Sequence, residues 1–162
     1  MFLLRYLYVV ALVLWVGGLI VAGALVAPSV FGVLQAWNPT EGRMLAGQVF
    51  GEVLLRLTWL SYVMGAVMFV ALTLHRLLGA RPLKYGVRVG IMAAMLVMMF
   101  ATGFYIIPRV NAIQAGVSGP VSSLPDTDAR RAEFDRLHGL SNILFSITAL
   151  GGLALCWWEA RE

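Results

Sequence analysis

The chain has 162 residues, of which 60% are hydrophobic and 12% are charged, and its mean hydropathy is +0.85. These values lie outside the range of water-soluble globular proteins, because a core of this size could not bury so much apolar surface. The formal net charge of +4 comes without a long basic run, so nothing indicates a nucleic-acid-binding surface. The single cysteine, Cys156, excludes a disulfide or a paired-cysteine site within the chain.

The first apolar segment follows Arg5 and has one feature of a cleaved signal peptide. Its small residues Ala22-Gly23-Ala24 are typical of a cleavage site. No charged residue occurs between Tyr6 and Thr40, however, and this stretch is far longer than the apolar part of a signal peptide. We therefore interpret the segment as a retained transmembrane helix.

Charged residues separate three further apolar segments, so the sequence predicts four membrane-spanning helices. Each segment is long enough to cross roughly 30 Å of hydrocarbon at about 1.5 Å per residue. Lipid offers no hydrogen-bond partner to open strands, so the spans must be helical. We predict an all-α fold, an integral membrane four-helix bundle forming a single domain over residues 1–162. The predicted spans are 6–34, 53–75, 87–108 and 138–158.

The helices are predicted to protrude from the membrane at one end of the bundle. Pro28 and Pro108 are each followed by helix-compatible residues, which predicts a kink at the proline rather than the end of the helix. Asp126 is predicted to cap the fourth helix, with Asp128 adding negative charge to its first turn. Residues 116–125 are predicted to form a flexible connector on this protruding, outer side.

Four spans place both termini on the same side of the membrane. Lysine and arginine are divided equally between the two sides. Four of them lie in the short loop from His75 to Arg88, where the positive-inside bias acts most strongly. We therefore predict that both termini face the cytoplasm and that the protein lies in the cell (inner) membrane. The four basic residues are Arg76, Arg81, Lys84 and Arg88.

Polar residues near the outer end follow helical spacing, which puts them on single helix faces. These stripes are Arg131, Asp135, His138 and Asn142 on the fourth helix, and Gln48, Glu52 and Arg56 on the second. We predict that they converge in one polar cluster, a candidate functional site because charged groups near membrane depth often mark function. The alternative is that local acid–base pairs only allow long helices to leave the membrane. The candidate members are Glu52, Arg56, Arg109, Asn111, Asp135, His138, Ser141 and Asn142.

Neither histidine nor methionine indicates a cofactor site with any specificity. His138, beside Gly139, could ligate a metal or a porphyrin, but His75 is predicted roughly 30 Å away across the membrane. Methionines of the second and third spans could bind Cu(I), but methionine more often fills gaps between helices. No catalytic motif occurs. We expect no enzymatic activity, no cofactor, and neither a catalytic nor a metal site.

Two weaker patterns concern helix packing. Gly47-x-x-x-Gly51 and Gly86-x-x-x-Gly90 favour close helix approach, either within the chain or between chains. In addition, Pro28-Ser29-Val30 resembles Pro108-Arg109-Val110 about eighty positions later, which would fit two related helical hairpins.

Several of these segments resemble a known family. Ile107-Pro108-Arg109-Val110-Asn111-Ala112 and Phe134-Asp135-Arg136-Leu137-His138-Gly139-Leu140-Ser141 are similar to the transmembrane protein 205-like family, catalogued as domain of unknown function 4149. Ala27-Pro28-Ser29-Val30-Phe31 and Ala46-Gly47-Gln48 resemble its bacterial members, so the likeness covers nearly the whole chain. The resemblance implies a four-span membrane protein without an assigned activity. It emphasises Pro108, Arg109, His138, Gly139 and Ser141.

Taken together, these patterns predict an accessory or scaffold subunit of a larger membrane complex. Its expected partners are the lipid bilayer and other membrane subunits or further copies of itself, with no nucleic acid. One alternative is a carrier or permeation protein for a small solute or metal ion, with the polar cluster as its outer entrance. A third possibility is a porphyrin or quinone enzyme.

Overall fold

The computed structural model describes residues 2–39, 41–79 and 82–161. Four long helices, each long and apolar enough to cross a membrane, make up most of this part of the chain. They are α1 (Phe2–Trp37), α2 (Glu41–Leu78), α3 (Tyr85–Ala115) and α4 (Ala129–Glu159). The described residues form no β-strand. The predicted all-α architecture with four spanning helices is therefore confirmed. Arg81, one of the basic residues used to predict orientation, lies outside the described residues.

The helices form a ring in which each one packs against two neighbours. α1 contacts α2 and α4, and α3 also contacts α2 and α4. We call the end that holds residues 2–8, 75–79, 82–88 and 157–161 the terminal end, and the opposite end the connector end. The core between them is filled by large apolar side chains. Fully buried members include Trp15, Met68, Met92, Met95 and Leu155, so these methionines fill space between helices.

α1 and α3 each contain one π-helical turn, at Ala22–Val26 and at Thr102–Ile106. In both helices a proline, Pro28 or Pro108, follows two residues after the turn, and the helix then continues. Proline lacks an N–H group and its ring clashes with the carbonyl four residues earlier, so a wider turn accommodates it. The two turns lie eighty positions apart, as expected for related hairpins α1–α2 and α3–α4.

Each π-helical turn carries a glycine that lets a neighbouring helix approach. A Cβ atom at Gly103 would lie 2.3 Å from the hydroxyl oxygen of Tyr62 on α2. A Cβ atom at Gly23 would lie 3.2 Å from the ring of Phe145 on α4. The Tyr62 hydroxyl also donates a 3.1 Å hydrogen bond to the carbonyl of Met99, just before the π-helical turn of α3. The turns therefore fix how the two hairpins meet.

The beginning of α4 differs from the sequence prediction. The N-cap is Asp128, whose carboxylate accepts a 2.8 Å hydrogen bond from the backbone N–H of Arg130. Asp126 lies before the helix and instead pairs with Arg131 at 2.6 Å. The prediction of Asp126 as the cap was wrong because the helix begins three residues later, at Ala129.

The connector between α3 and α4 is held against the bundle. Val121, in a short 3-10 turn, is buried together with Ile106, Ile113 and Leu137. The side chain of Arg131 donates a 2.7 Å hydrogen bond to the Leu124 carbonyl. The segment predicted as a flexible connector is thus anchored by apolar contacts and by a hydrogen bond from α4.

Candidate functional site

At the connector end, one predicted site residue links two helices. Arg109 of α3 forms two hydrogen bonds with Glu133 of α4, from Nε to Oε1 at 2.5 Å and from Nη2 to Oε2 at 3.1 Å. Such a two-point contact between guanidinium and carboxylate fixes geometry as well as supplying attraction. Glu133 was not among the predicted site residues. Both side chains are exposed, so the pair lies on the surface of the bundle.

A second pair of predicted residues is local to α2. Glu52 and Arg56 are hydrogen-bonded at 2.9 Å, four residues apart, and both side chains are exposed. A pair of this kind stabilises a helix by only about 0.3–0.5 kcal/mol. The Glu52–Arg56 pair is consistent with the alternative interpretation of the polar stripes, in which local acid–base pairs allow a long helix to leave the membrane.

The remaining predicted residues do not bridge helices by hydrogen bonds. Asn111, Asp135, His138 and Asn142 are exposed, and Ser141 is half-buried. The ring of His138 stacks against Phe134 on its own helix, with 6.2 Å between ring centroids.

Within the described residues, Glu52 pairs with Arg56 and Arg109 pairs with Glu133, but no hydrogen bond joins the candidates into one cluster, which corrects the predicted geometry. Helical spacing showed that the residues of each stripe share a face, but not that these faces meet. α2 and α4 are not neighbours in the ring. Whether any of these residues has a functional role stays a prediction.

The buried charges lie at the terminal end instead. Arg88 of α3 is fully buried, and its Nη2 donates a 2.5 Å hydrogen bond to Oε2 of Glu159 on α4. Arg5 of α1 donates from Nε to Oε1 of the same carboxylate at 2.6 Å. It also donates from Nη2 to the Glu159 carbonyl at 3.2 Å. One carboxylate thus connects three helices.

An aromatic ring and the second helix complete this arrangement. The guanidinium carbon of Arg88 lies 4.6 Å from the centre of the Tyr8 ring, within the range of a cation–π contact. His75 of α2 lines the same place, so all four helices contribute to it. Tyr8 and Arg88 are buried there, whereas the side chain of Arg5 is 43% exposed. We call Arg5, Tyr8, Arg88 and Glu159 the terminal charge cluster.

Sequence reasoning missed this cluster, although the helical period contained the signal. In the sequence analysis Arg5 only preceded the first apolar segment, Arg88 was used only to predict orientation, and Glu159 was assigned no role. Yet Arg88 continues the buried face of α3, and Glu159 continues that of α4. These faces are Arg88, Met92, Met95 and Met99 on α3, and Thr148, Gly152, Leu155 and Glu159 on α4. A charge that extends an inward face is expected to be buried and paired.

The comparison with protein families gives a match. A family model described as "Domain of unknown function (DUF4149)" matches residues 10–117. This range includes both π-helical turns with Arg88 and Arg109, and it leaves out Arg5, His138 and Glu159. The likeness of residues 134–141 to the transmembrane protein 205-like family lies beyond the matched range and stays a resemblance. No curated protein and no solved structure matches the chain.

Proposed function

The chain belongs to the DUF4149 family, whose description assigns no activity, and we propose that it is an accessory or scaffold subunit. In this role it packs against other membrane proteins. The observation that carries this proposal is a face of small residues on α3 that the bundle itself does not use.

This face runs along the lipid-exposed side of α3. A Cβ atom added at Gly86 or at Gly90 would meet no atom within 4 Å, and both residues are exposed. Further exposed small residues continue the face towards the connector end at Ala93, Ala94 and Ala101. Small residues allow two helix backbones to come close, which is how helices associate in lipid without a hydrophobic driving force.

Other glycines show what internal packing looks like in this protein. A Cβ atom at Gly152 would lie 2.2 Å from a side-chain carbon of Val16, and one at Gly65 would lie 2.5 Å from Leu96. These positions are needed for contact between the protein's own helices. Gly86 and Gly90 have no such neighbour, and they lie one helical turn apart on a face with further exposed alanines, which supports contact with another chain.

Replacement of the small residues by leucine tests the proposal. In Gly86→Leu and Gly90→Leu the added side chains would hold a partner helix away, so partner proteins should be lost from the purified particle. Gly32→Leu is the matched control, because Gly32 is also exposed with no atom within 4 Å of a Cβ but lies on α1. The measurement is quantitative mass spectrometry of proteins retained after mild purification. Unchanged partner content in the α3 variants would overturn the proposal.

The terminal charge cluster favours a second candidate function, a carrier for a small solute or ion. Ionisable residues buried in a membrane protein commonly mark transport pathways, and Arg88 and Glu159 are buried where α3 meets α4. Separation of this pair would part the two helices at the terminal end. To test the carrier function, solute uptake is measured in vesicles that contain the Glu159→Gln variant and in vesicles that contain the Glu52→Gln variant. Equal uptake by the two variants and the unchanged protein would contradict it.

A further inference from the structure

The two ends of the bundle differ in charge. Segments 38–56 and 109–136, at the connector end, contain six basic and six acidic residues. The described residues 2–8, 75–79, 82–88 and 157–161, at the terminal end, contain five basic residues and one acidic residue. Arg81 and Glu162 lie outside the described residues, and their formal charges cancel. The whole net charge of +4 therefore belongs to the terminal end.

Eight of the twelve charged residues at the connector end form direct acid–base pairs among the described residues. Four acid–base pairs lie within hydrogen-bonding distance there. They are Glu52 with Arg56, Glu133 with Arg109, Asp128 with Arg130, and Asp126 with Arg131. The other four charged residues, Glu41, Arg43, Asp135 and Arg136, are two acids and two bases. This end therefore has no net charge that would attract an anion.

At the terminal end, two of the described cations pair with a carboxylate and three do not. Glu159 already accepts hydrogen bonds from both Arg5 and Arg88. Arg76, Lys84 and Arg161 are exposed, and in the described part of the chain none of them forms an ion pair with a carboxylate. Three helices thus present an exposed cation at or just beyond their terminal-end boundaries.

Aromatic rings hold two of these cations by their faces. The guanidinium carbon of Arg76 lies 4.3 Å from the centre of the Tyr85 ring, and that of Arg161 lies 4.4 Å from the Trp157 ring. A guanidinium stacked on a ring keeps its N–H edges available, and those edges match the oxygens of a phosphate group. Trp157 is itself exposed, as is typical of a tryptophan at the boundary between lipid and water.

We propose that the terminal end binds the headgroups of anionic phospholipids through Arg76, Lys84 and Arg161. These side chains lie at or next to the ends of helices that are long and apolar enough to span a membrane, and such helix ends are expected at the level of the lipid headgroups. A surface of anionic lipid attracts each nearby lysine or arginine, and the attraction falls off within a Debye length. The terminal charge cluster ties together the ends of α1, α3 and α4, and Lys84 and Arg161 lie at two of these ends. This proposal does not depend on the proposed role as an accessory subunit.

Lipid selectivity of the reconstituted full chain tests the proposal. Electron spin resonance of spin-labelled lipids gives the association constant of phosphatidylglycerol relative to that of phosphatidylcholine. The test variant combines Arg76→Gln, Lys84→Gln and Arg161→Gln. The control combines Arg43→Gln, Arg56→Gln and Arg136→Gln, which removes the same charge from exposed positions at the connector end. Circular dichroism establishes that both variants keep their helices, and single Arg76→Gln and Arg161→Gln variants provide graded versions.

The expected result is a preference of the unchanged protein for phosphatidylglycerol that the control variant keeps. Each cation removed at the terminal end should lower this preference by up to about fivefold. The proposal is overturned if the unchanged protein shows no preference, or if both triple variants lose it equally. It is also overturned if inorganic phosphate abolishes the preference at an ionic strength where sodium chloride does not, since the site would then take the free anion.

Discussion

Arg88 and Glu159 lie 71 positions apart in the chain, and their side chains meet at 2.5 Å between Nη2 and Oε2. The same carboxylate accepts a hydrogen bond from Arg5, so Glu159 ties the last turn of α4 to both α1 and α3. Taking charges out of water carries a large desolvation cost, which only close pairing offsets. The arrangement is therefore sensitive to the loss of a single partner.

Glu159→Ala is expected to destabilise the protein strongly. The change removes the Glu159 carboxylate from its contact with the buried guanidinium of Arg88, and breaking a buried ion pair from one side typically costs about 3–5 kcal/mol. The free energy of unfolding, measured by denaturing-detergent titration of the protein in mixed micelles, checks this. Glu52→Ala is the control, because it breaks only an exposed pair within α2 and should cost less than about 1 kcal/mol. Similar losses in the two variants would mean that the terminal charge cluster does not hold the helices together.

Gly103→Ala is expected to destabilise the contact between α2 and α3. Its Cβ would lie 2.3 Å from the Tyr62 hydroxyl oxygen and 2.8 Å from a Thr58 methyl carbon, and such overpacking costs about 1–3 kcal/mol. Gly90→Ala, where a Cβ meets nothing within 4 Å, should be neutral or stabilising by up to about 1 kcal/mol. The unfolding temperatures of the Gly103→Ala and Gly90→Ala variants, measured in the same detergent, are compared to check this.

Tyr62→Phe provides a second check of the same contact. Removing the hydroxyl takes away the atom nearest to the added Cβ, so the double variant Tyr62→Phe/Gly103→Ala should lose less stability than the two single variants combined. A double-mutant cycle measures this coupling. Strict additivity would show that Gly103 and Tyr62 do not constrain each other.

Protonation of Asp128 is expected to weaken the start of α4 at low pH. Hydrogen bonds from Arg130 lower the pKa of this carboxyl below its ordinary value. A carboxyl with a lowered pKa in the folded state stabilises the fold above its unfolded pKa of about 4, and this contribution is lost as pH falls through the lower, folded value. Asp128→Asn keeps a capping oxygen but has no such titration. The unfolding temperatures of the two proteins should therefore converge between about pH 5 and pH 2, and a constant difference would contradict the assignment.

Side-specific labelling tests the predicted orientation. In a background with Cys156→Ser, a cysteine at Ser122 in the connector should react with a membrane-impermeant maleimide added outside intact cells. A cysteine at Leu83, in the loop between α2 and α3, should react only after the cells are opened. Both positions are exposed. The reverse pattern would place the termini outside.

Hydropathy and charge spacing were enough to predict four helices and their continuation past Pro28 and Pro108. They could not show which face of each helix turns inward. In a water-soluble protein, an apolar stripe on a helix identifies the face that packs into the core. In a membrane protein the face towards lipid is apolar as well, so an apolar stripe does not identify the inward face. The polar face around His138 was therefore assigned to a shared cluster although it is exposed. Arg88, which continues the methionine face of α3, was treated as a loop charge although it is buried.

The mass of the native particle tests the proposed role as a subunit most directly. Polymer-bounded discs extract the protein with its surrounding membrane and without detergent, and native mass spectrometry then gives the composition. We predict a particle in which this 17.7 kDa chain is joined in a fixed ratio by at least one polypeptide of different sequence. A particle that contains this chain alone, as a single copy or as several copies, would contradict the proposal.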